Sequence, residues 1–345
     1  MNSAQNNPAS NQIGQGLTDA QVLTAVERSG YPLQTIIGEI LRPNFQVQEE
    51  WSYLDKDADT LRSVDIRADQ ALHGWDPQPR VRPQISLLIE CKQSQLPYIF
   101  FPSPGQVRLP NFPAVAGLRR DTIAIRTDDD ASTWTLGVIR ALGLADDPFQ
   151  REPPFCSTFS KCVRKGPDLE LSGSEAYSGL ILPLIKAAQH FERAEHPVDT
   201  AWYFDAHLTV ALGVLDAPMI AAASADGALT LTLLPWVRVM RHEYLEEPDR
   251  WNRNRLWAVE IVHKSFLAKY LTDHLLPFAH RFSERTLRHT TELATGEGFA
   301  SGMGADFGGD NLEDRLRARP VASSITRAGL IAKNLIRLLR IKRRD

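Results

Sequence analysis

A chain of 345 residues with 43% hydrophobic and 23% charged residues can bury one large core or two modest ones, which excludes a fibrous or wholly disordered protein. The formal net charge of -3 excludes a global basic field, so any nucleic-acid binding must rest on local patches. Three cysteines, Cys91, Cys156 and Cys162, are odd in number and lack a CxxC spacing, which argues against a disulfide framework or a zinc knuckle.

Residues 1–16, rich in Asn, Gln and Ser, read as a disordered tail without the basic start and apolar core of a signal peptide. No apolar run reaches membrane-spanning length, since Asp216 and Pro218 interrupt the nearest one, so the expected location is the cytoplasm, away from a membrane. Thr18 caps a helix running to about Arg28. A second helix places Leu33, Ile36, Ile37, Ile40 and Leu41 on one face, with Glu39 off it. Phe45 to Leu54 and Leu61 to Ala68 read as two strands joined by a charged turn. Residues 69–83, with Gly74, Pro77, Pro79 and Pro83, read as a loop. Ile85 to Cys91 is nearly all apolar, as in a strand covered on both faces, and Tyr98 to Phe101 is a further strand.

Beyond residue 102 the pattern is weaker. Thr122 to Arg126 predicts a strand, Ser132 to Leu142 a helix, and the Pro-rich stretch 148–175 a long connection. Tyr177 to Ala194 predicts a helix. Strands are expected at 206–215, 218–223, 229–234, 237–240 and 257–262, with Asp226-Gly227 as a hairpin turn. Residues 265–291 predict a long helix kinked at Pro277. The organisation expected is a tail (1–16), a first core (17–147), an α+β second half (148–293) and a Gly-rich linker with a basic C-terminal helix (294–345). The second half is open to extending the same sheet, to binding, or to dimerisation.

The chemistry gathers on two neighbouring strands. Asp65 lies in one; the next ends Glu90-Cys91-Lys92, which is the one acid-x-lysine triplet in the chain. Strand side chains alternate, so Glu90 and Lys92 share a face while Cys91 points to the other layer. Two carboxylates suit a hard Mg²⁺ or Mn²⁺ ion, with the Cys91 peptide carbonyl as a third oxygen, and such an ion serves phosphodiester hydrolysis. The metal would lower the Lys92 pKa and the carboxylates would raise it, a balance that stays open at this stage.

Helix, strand, turn, strand with Asp, loop and apolar strand ending acid-x-Lys together resemble the PD-(D/E)XK nuclease superfamily over residues 18–145. Val64-Asp65 stands for its "PD", and Glu90-Cys91-Lys92 for its "(D/E)XK". The resemblance implies a restriction-endonuclease-like α/β fold: a mixed central sheet flanked by helices, here with a C-terminal α+β extension. It implies a Mg²⁺- or Mn²⁺-dependent endonuclease acting on DNA, in restriction or defence against foreign DNA. Asp65, Glu90 and Lys92 would be catalytic. Asp65, Glu90, Cys91 and Glu39 would hold metal, and Gln93 and Ser94 would touch the substrate. The chain would act alone, as a homodimer or in a larger complex.

The alternative is a non-catalytic nuclease-like scaffold that binds nucleic acid or a partner protein. Other chemistries find no footing: GxxxxGK[ST], GxSxG, a strand-anchored GxGxxG and HExxH are all absent. The apolar and basic residues of 325–344 read either as a phosphate-contacting surface or as a helix on the core.

Overall fold

The computed structural model describes residues 4–74, 76–105, 112–127, 133–225, 228–244, 254–300 and 312–318. The chain is mixed α/β. Two helices, α1 (Asp19–Arg28) and α2 (Tyr31–Leu41), precede a hairpin of β1 (Gln46–Asp55) and β2 (Thr60–Ala71), then β3 (Val81–Gln93) and β4 (Tyr98–Phe101). There follow β5 (Ala114–Ala116), β6 (Thr122–Thr127), β7 (Thr133–Gly137), β8 (Phe155–Cys156), β9 (Thr158–Lys165) and β10 (Asp168–Ser172). Helix α3 (Leu182–Ala194) continues a π-helical turn, Tyr177–Ile181. It leads to β11 (Phe204–Asp216), β12 (Met219–Ala225), β13 (Ala228–Leu233), β14 (Trp236–Tyr244) and β15 (Asn254–His263). Helix α4 (Leu276–Arg288), β16 (Glu297–Ala300) and β17 (Leu316–Arg317) complete the described elements used below.

The central sheet runs β1-β2-β3-β11-β15-β14-β8, with β5 also pairing β11. It is mixed: β11 is parallel to both β3 and β15, while β1, β2 and β3 are antiparallel. The second half of the chain therefore extends the sheet begun by the first. Two smaller mixed sheets, β10-β9-β4-β12-β13 and β17-β16-β6-β7, flank it.

Alternation on β3 shows why this strand lies at the centre. Ile85, Leu87, Ile89 and Cys91 enter one core with Leu33, Ile37 and Leu41 of α2 and Phe278 and Phe282 of α4. Leu88 enters the other core with Leu184, Ala188 and Phe191 of α3. Both faces are covered, which is why the run is apolar without a break. Gln34 and Gly38 are also buried on α2. Among the described residues no helix is long and apolar enough to cross a membrane.

Several expectations need correction. Residues 69–83 are not all loop, because β2 continues through Ala71 and β3 begins at Val81. Pro83 is tolerated inside β3; its carbonyl accepts the Leu72 N–H at 2.9 Å. Thr133–Gly137 is a strand where a helix was expected, and only Val138–Ala141 is helical; β-branched Thr133 and Thr135 with Trp134 favour the pleat. The stretch 148–175 holds β8 and the β9–β10 hairpin, turned at Gly166 with φ +63°. The Asp226-Gly227 turn and the basic helix expected at 325–344 lie outside the described residues.

Gly213 of β11 stands directly opposite Glu90 of β3. A Cβ there would come within 2.7 Å of Ile261 Cδ1 and 2.9 Å of Leu180 Cδ1, and both of those side chains are fully buried. This close approach seats the π-helical turn on the sheet. Gly213→Ala is expected to destabilise the fold by roughly 1–3 kcal/mol through overpacking, read from the denaturant midpoint. An unchanged midpoint would contradict the close packing.

Candidate functional site

The site is built where β2 leaves β3. Their ladder ends at Ile66 opposite Ile89, so the next pair in register would be Asp65 and Glu90. Beyond that point β3 continues to Gln93, held by β11, while the β1–β2 hairpin diverges. The change of course is written in the pleat. On β2, Ile66 and Ala68 face the α2–α4 core, whereas Val64 faces the α3 core. On β1, Val47 faces the first and Trp51 and Tyr53 the second. Residues two or four apart on a regular strand share a face, so both strands reverse, at Asp65 and at Glu50. Glu50, flanked by the pairs Glu49–Ile66 and Trp51–Val64, has φ +51°, a left-handed conformation that costs a non-glycine residue roughly 1–2 kcal/mol.

Side chains replace the interrupted ladder. The Cys91 N–H donates to Asp65 Oδ2 at 2.6 Å. The N–H and C=O of one strand residue point to the same neighbour, so the Cys91 carbonyl faces the same gap. Gln34 of α2 donates through Nε2 to the Asp65 carbonyl at 2.9 Å. Lys92 Nζ donates to Glu90 Oε1 at 2.5 Å. Glu90 is only 7% exposed, and its second oxygen, Oε2, is buried without a hydrogen-bond partner. The hairpin rests on α3, where the Tyr53 hydroxyl donates to the Pro183 carbonyl at 3.0 Å.

Electrostatics follow from burial. Desolvation lifts the Glu90 carboxyl to about 7, against the pull of Lys92 and with added repulsion from Asp65 and Glu50. Desolvation also raises Asp65, opposed by the Cys91 N–H and Lys92 and aided by Glu50. For Lys92 burial disfavours the ammonium, but Glu90 and its hydrogen bond outweigh it and the net shift is upward. In the metal-free chain the carboxylates therefore outweigh burial. The Cys91 thiol, in the opposite core, is pushed far up by burial and is no nucleophile.

Asp65, Glu90, Cys91 and Lys92 are thus brought together as the sequence spacing suggests. Glu39 is not: it is exposed on α2, and that helix sends Gln34 to the β2 backbone instead. Gln93 is exposed just past the site, and Ser94 spends its hydroxyl on the turn, donating to the Leu96 carbonyl at 2.9 Å. Glu50 and Gln34 were missed. A broken alternation across Val47 to Tyr53 was the one available signal for Glu50. Among the described residues, no group of three or more His, Cys, Asp or Glu side chains is placed to hold a metal ion. The Asp65 carboxylate, the orphaned Glu90 Oε2 and the Cys91 carbonyl are still hard oxygen donors of the kind Mg²⁺ or Mn²⁺ takes, with water completing the shell.

Further along β3, Ser86 lies 2.9 Å from His207 Nδ1, and His207 Nε2 lies 3.6 Å from Glu195. These are the residue types of a hydrolytic triad, but Ser86 is fully buried and donates its proton to Asp69 at 2.6 Å. His207 must then donate to Ser86 rather than accept from it, which is the wrong polarity for a general base. No family model, no curated protein and no solved structure matches the chain.

The upward shift of Glu90 has a sign that can be checked. Its folded value lies above the ordinary carboxyl value of 4.5, so the folded chain holds an extra proton between about 4.5 and 7. The cost of burying the ionised carboxylate is absent below that window and complete above it. In metal-free buffer, the melting temperature of Glu90→Gln minus that of the wild type is expected to become more positive from pH 5 to pH 8. The change should correspond to roughly 2–3 kcal/mol. A difference that stays flat across that range would contradict the assignment.

Proposed function

We propose that the chain is a metal-dependent nuclease that hydrolyses DNA phosphodiester bonds, with a PD-(D/E)XK-like core formed by α2, β1, β2 and β3. The observation that carries this reading is Glu90: a buried carboxylate with one oxygen on Lys92 and the other unpartnered, facing Asp65 across a split in the sheet. A buried carboxylate oxygen without a donor is costly, and a cation is the partner that offsets the cost.

Asp65 and Glu90, with the Cys91 carbonyl, would hold the Mg²⁺ or Mn²⁺ ion. Such an ion supplies acidified water and neutralises charge developing on the phosphate. The protein's own part is to keep Asp65 oriented through the Cys91 N–H and to keep Lys92 charged, one-third exposed, where it can hold water or a phosphate oxygen. Glu50 adds negative potential to the same gap, and Gln93, exposed at the end of β3, would touch the DNA, whereas the Ser94 hydroxyl is held by the turn. Restriction or defence against foreign DNA is the setting the fold analogy suggests.

The second reading is a nuclease-like scaffold that binds DNA or a protein without cutting. Among the described residues no third carboxylate stands close enough to Asp65 and Glu90 to share a metal, Glu50 acting on them through its charge alone, and this favours it. The two readings part in one assay. Supercoiled, linear and single-stranded DNA are incubated with Mg²⁺ or Mn²⁺ and the wild type, Asp65→Asn or Lys92→Ala. The nuclease reading expects wild-type cleavage and at least a ~100-fold loss in both variants, with circular dichroism unchanged. Wild-type protein that binds these DNAs but leaves them intact would establish the scaffold. Equal cleavage by all three proteins would remove Asp65 and Lys92 from the chemistry.

A further inference from the structure

A cavity lies at the other end of α3 from the carboxylate pair. Near its start, the Pro183 carbonyl holds Tyr53, whose hydroxyl is raised to about 12 by burial with Glu90 among the charges acting on it. Toward its end, Glu192 and, just beyond, His196 line a cavity of about 340 Å³ closed by residues 113–122, Val138, Ile139 and Arg255. Ligand pockets start at about this size.

Its walls divide by chemistry. Val115 forms an aliphatic side over a floor of nearly buried Leu118, Val138 and Ile139. Three guanidinium groups, of Arg119, Arg120 and Arg255, stand against two carboxylates, of Asp121 and Glu192. Their commitments differ. Arg255 forks onto Glu192 with Nη1–Oε2 at 2.8 Å and Nη2–Oε1 at 2.5 Å, so these two charges are committed to each other. Arg119 donates to the carbonyls of Asp199 and Ala201, both at 2.8 Å. These two bonds fix its side chain without neutralising it. Arg120 makes no hydrogen bond or ion pair with any described residue, yet its stem is held. It crosses Gly296, where a Cβ would lie 3.0 Å from Arg120 Cδ and where φ is +68°. Gly296 is the left-handed cap that ends the helix Thr290–Thr295, and its missing Cβ leaves the room in which the Arg120 stem lies.

We propose that this cavity binds a nucleoside monophosphate or an organophosphate of that size, with its phosphate on Arg120 and Arg119 and its apolar body against Val115, Val138 and Ile139. Asp121 accepts a hydroxyl of the sugar. A bare anion would leave the aliphatic wall unused, and an apolar molecule would leave the guanidinium groups unpaired. The site is separate from the carboxylate pair and does not depend on the nuclease reading.

The test is isothermal titration of the full chain with adenosine 5′-monophosphate, cytidine 5′-monophosphate and inorganic phosphate. At least one nucleotide is expected to bind more tightly than about 1 mM, and more tightly than phosphate. Arg120→Ala, an exposed position, should weaken that binding at least ~10-fold, the worth of a charge-assisted hydrogen bond. Asp65→Asn should leave it unchanged, so failure of the nuclease reading would not be mistaken for failure of this one. Absence of binding by both nucleotides at millimolar concentration would overturn the proposal. Equal affinity in Arg120→Ala would do so too, as would phosphate binding as tightly as the nucleotide.

Discussion

The hydrogen bond from the Cys91 N–H to the Asp65 carboxylate is the interaction on which the site depends. A backbone donor buried at the end of a ladder must be satisfied, and once β2 turns away its carbonyls are out of reach. The Asp65 side chain takes their place. That single substitution of carboxylate for peptide lets the sheet open and keeps β3 intact against β11. It also sets Asp65 opposite Glu90 instead of letting it follow the hairpin. The left-handed backbone at Glu50 is the matching distortion on the outer strand. Two adjacent strands reverse their pleat at facing residues, and the strain is kept where the polar groups gather.

Burial then sets the chemistry. Glu90 lies between Gly213 of β11 and the departing hairpin, roofed by α3 and its π-helical turn. The same walls that exclude water raise its pKa toward neutrality and strengthen its attraction to Lys92. A carboxylate poised near 7 beside a charged lysine is an arrangement found at functional sites more often than in plain structural ion pairs. Arg238 and Glu260 show the contrast. They too are buried, but Arg238 spends its remaining donors on the Gln150 and Phe149 carbonyls, and Glu260 also accepts from Trp236, so both groups have all they need.

Much of this was legible in the sequence, and the limits have physical causes. The unbroken apolar run Ile85–Cys91 marks a strand covered on both faces, and period two puts Glu90 and Lys92 together. Glu39 misled because the resemblance matched it by position, and a place off the apolar stripe fits solvent as well as a polar site. Five residues separate it from Gln34, about 140° around the helix, so when Gln34 faces β2 the other cannot. Glu50 was hidden because the broken alternation from Val47 to Tyr53 marks an irregular strand without announcing a left-handed non-glycine residue in it. Prolines at 148, 153, 154 and 167 masked three short strands: Pro148 opens a short helix, and the others flank β8 and the β9–β10 turn rather than interrupt a ladder. The insertion of β11 beside β3 joins residues more than a hundred positions apart, which no local pattern encodes.

The most direct measurement is binding of Mn²⁺, followed by electron paramagnetic resonance at pH 8, to the wild-type chain and to Glu90→Gln. If the orphaned oxygen of Glu90 is a cation's partner, the wild type binds one Mn²⁺ that Mg²⁺ displaces, and the variant binds it at least ~10-fold more weakly. The same affinity in both proteins, or no bound Mn²⁺ in the wild type at millimolar concentration, would show that the split in the sheet was not built for a metal.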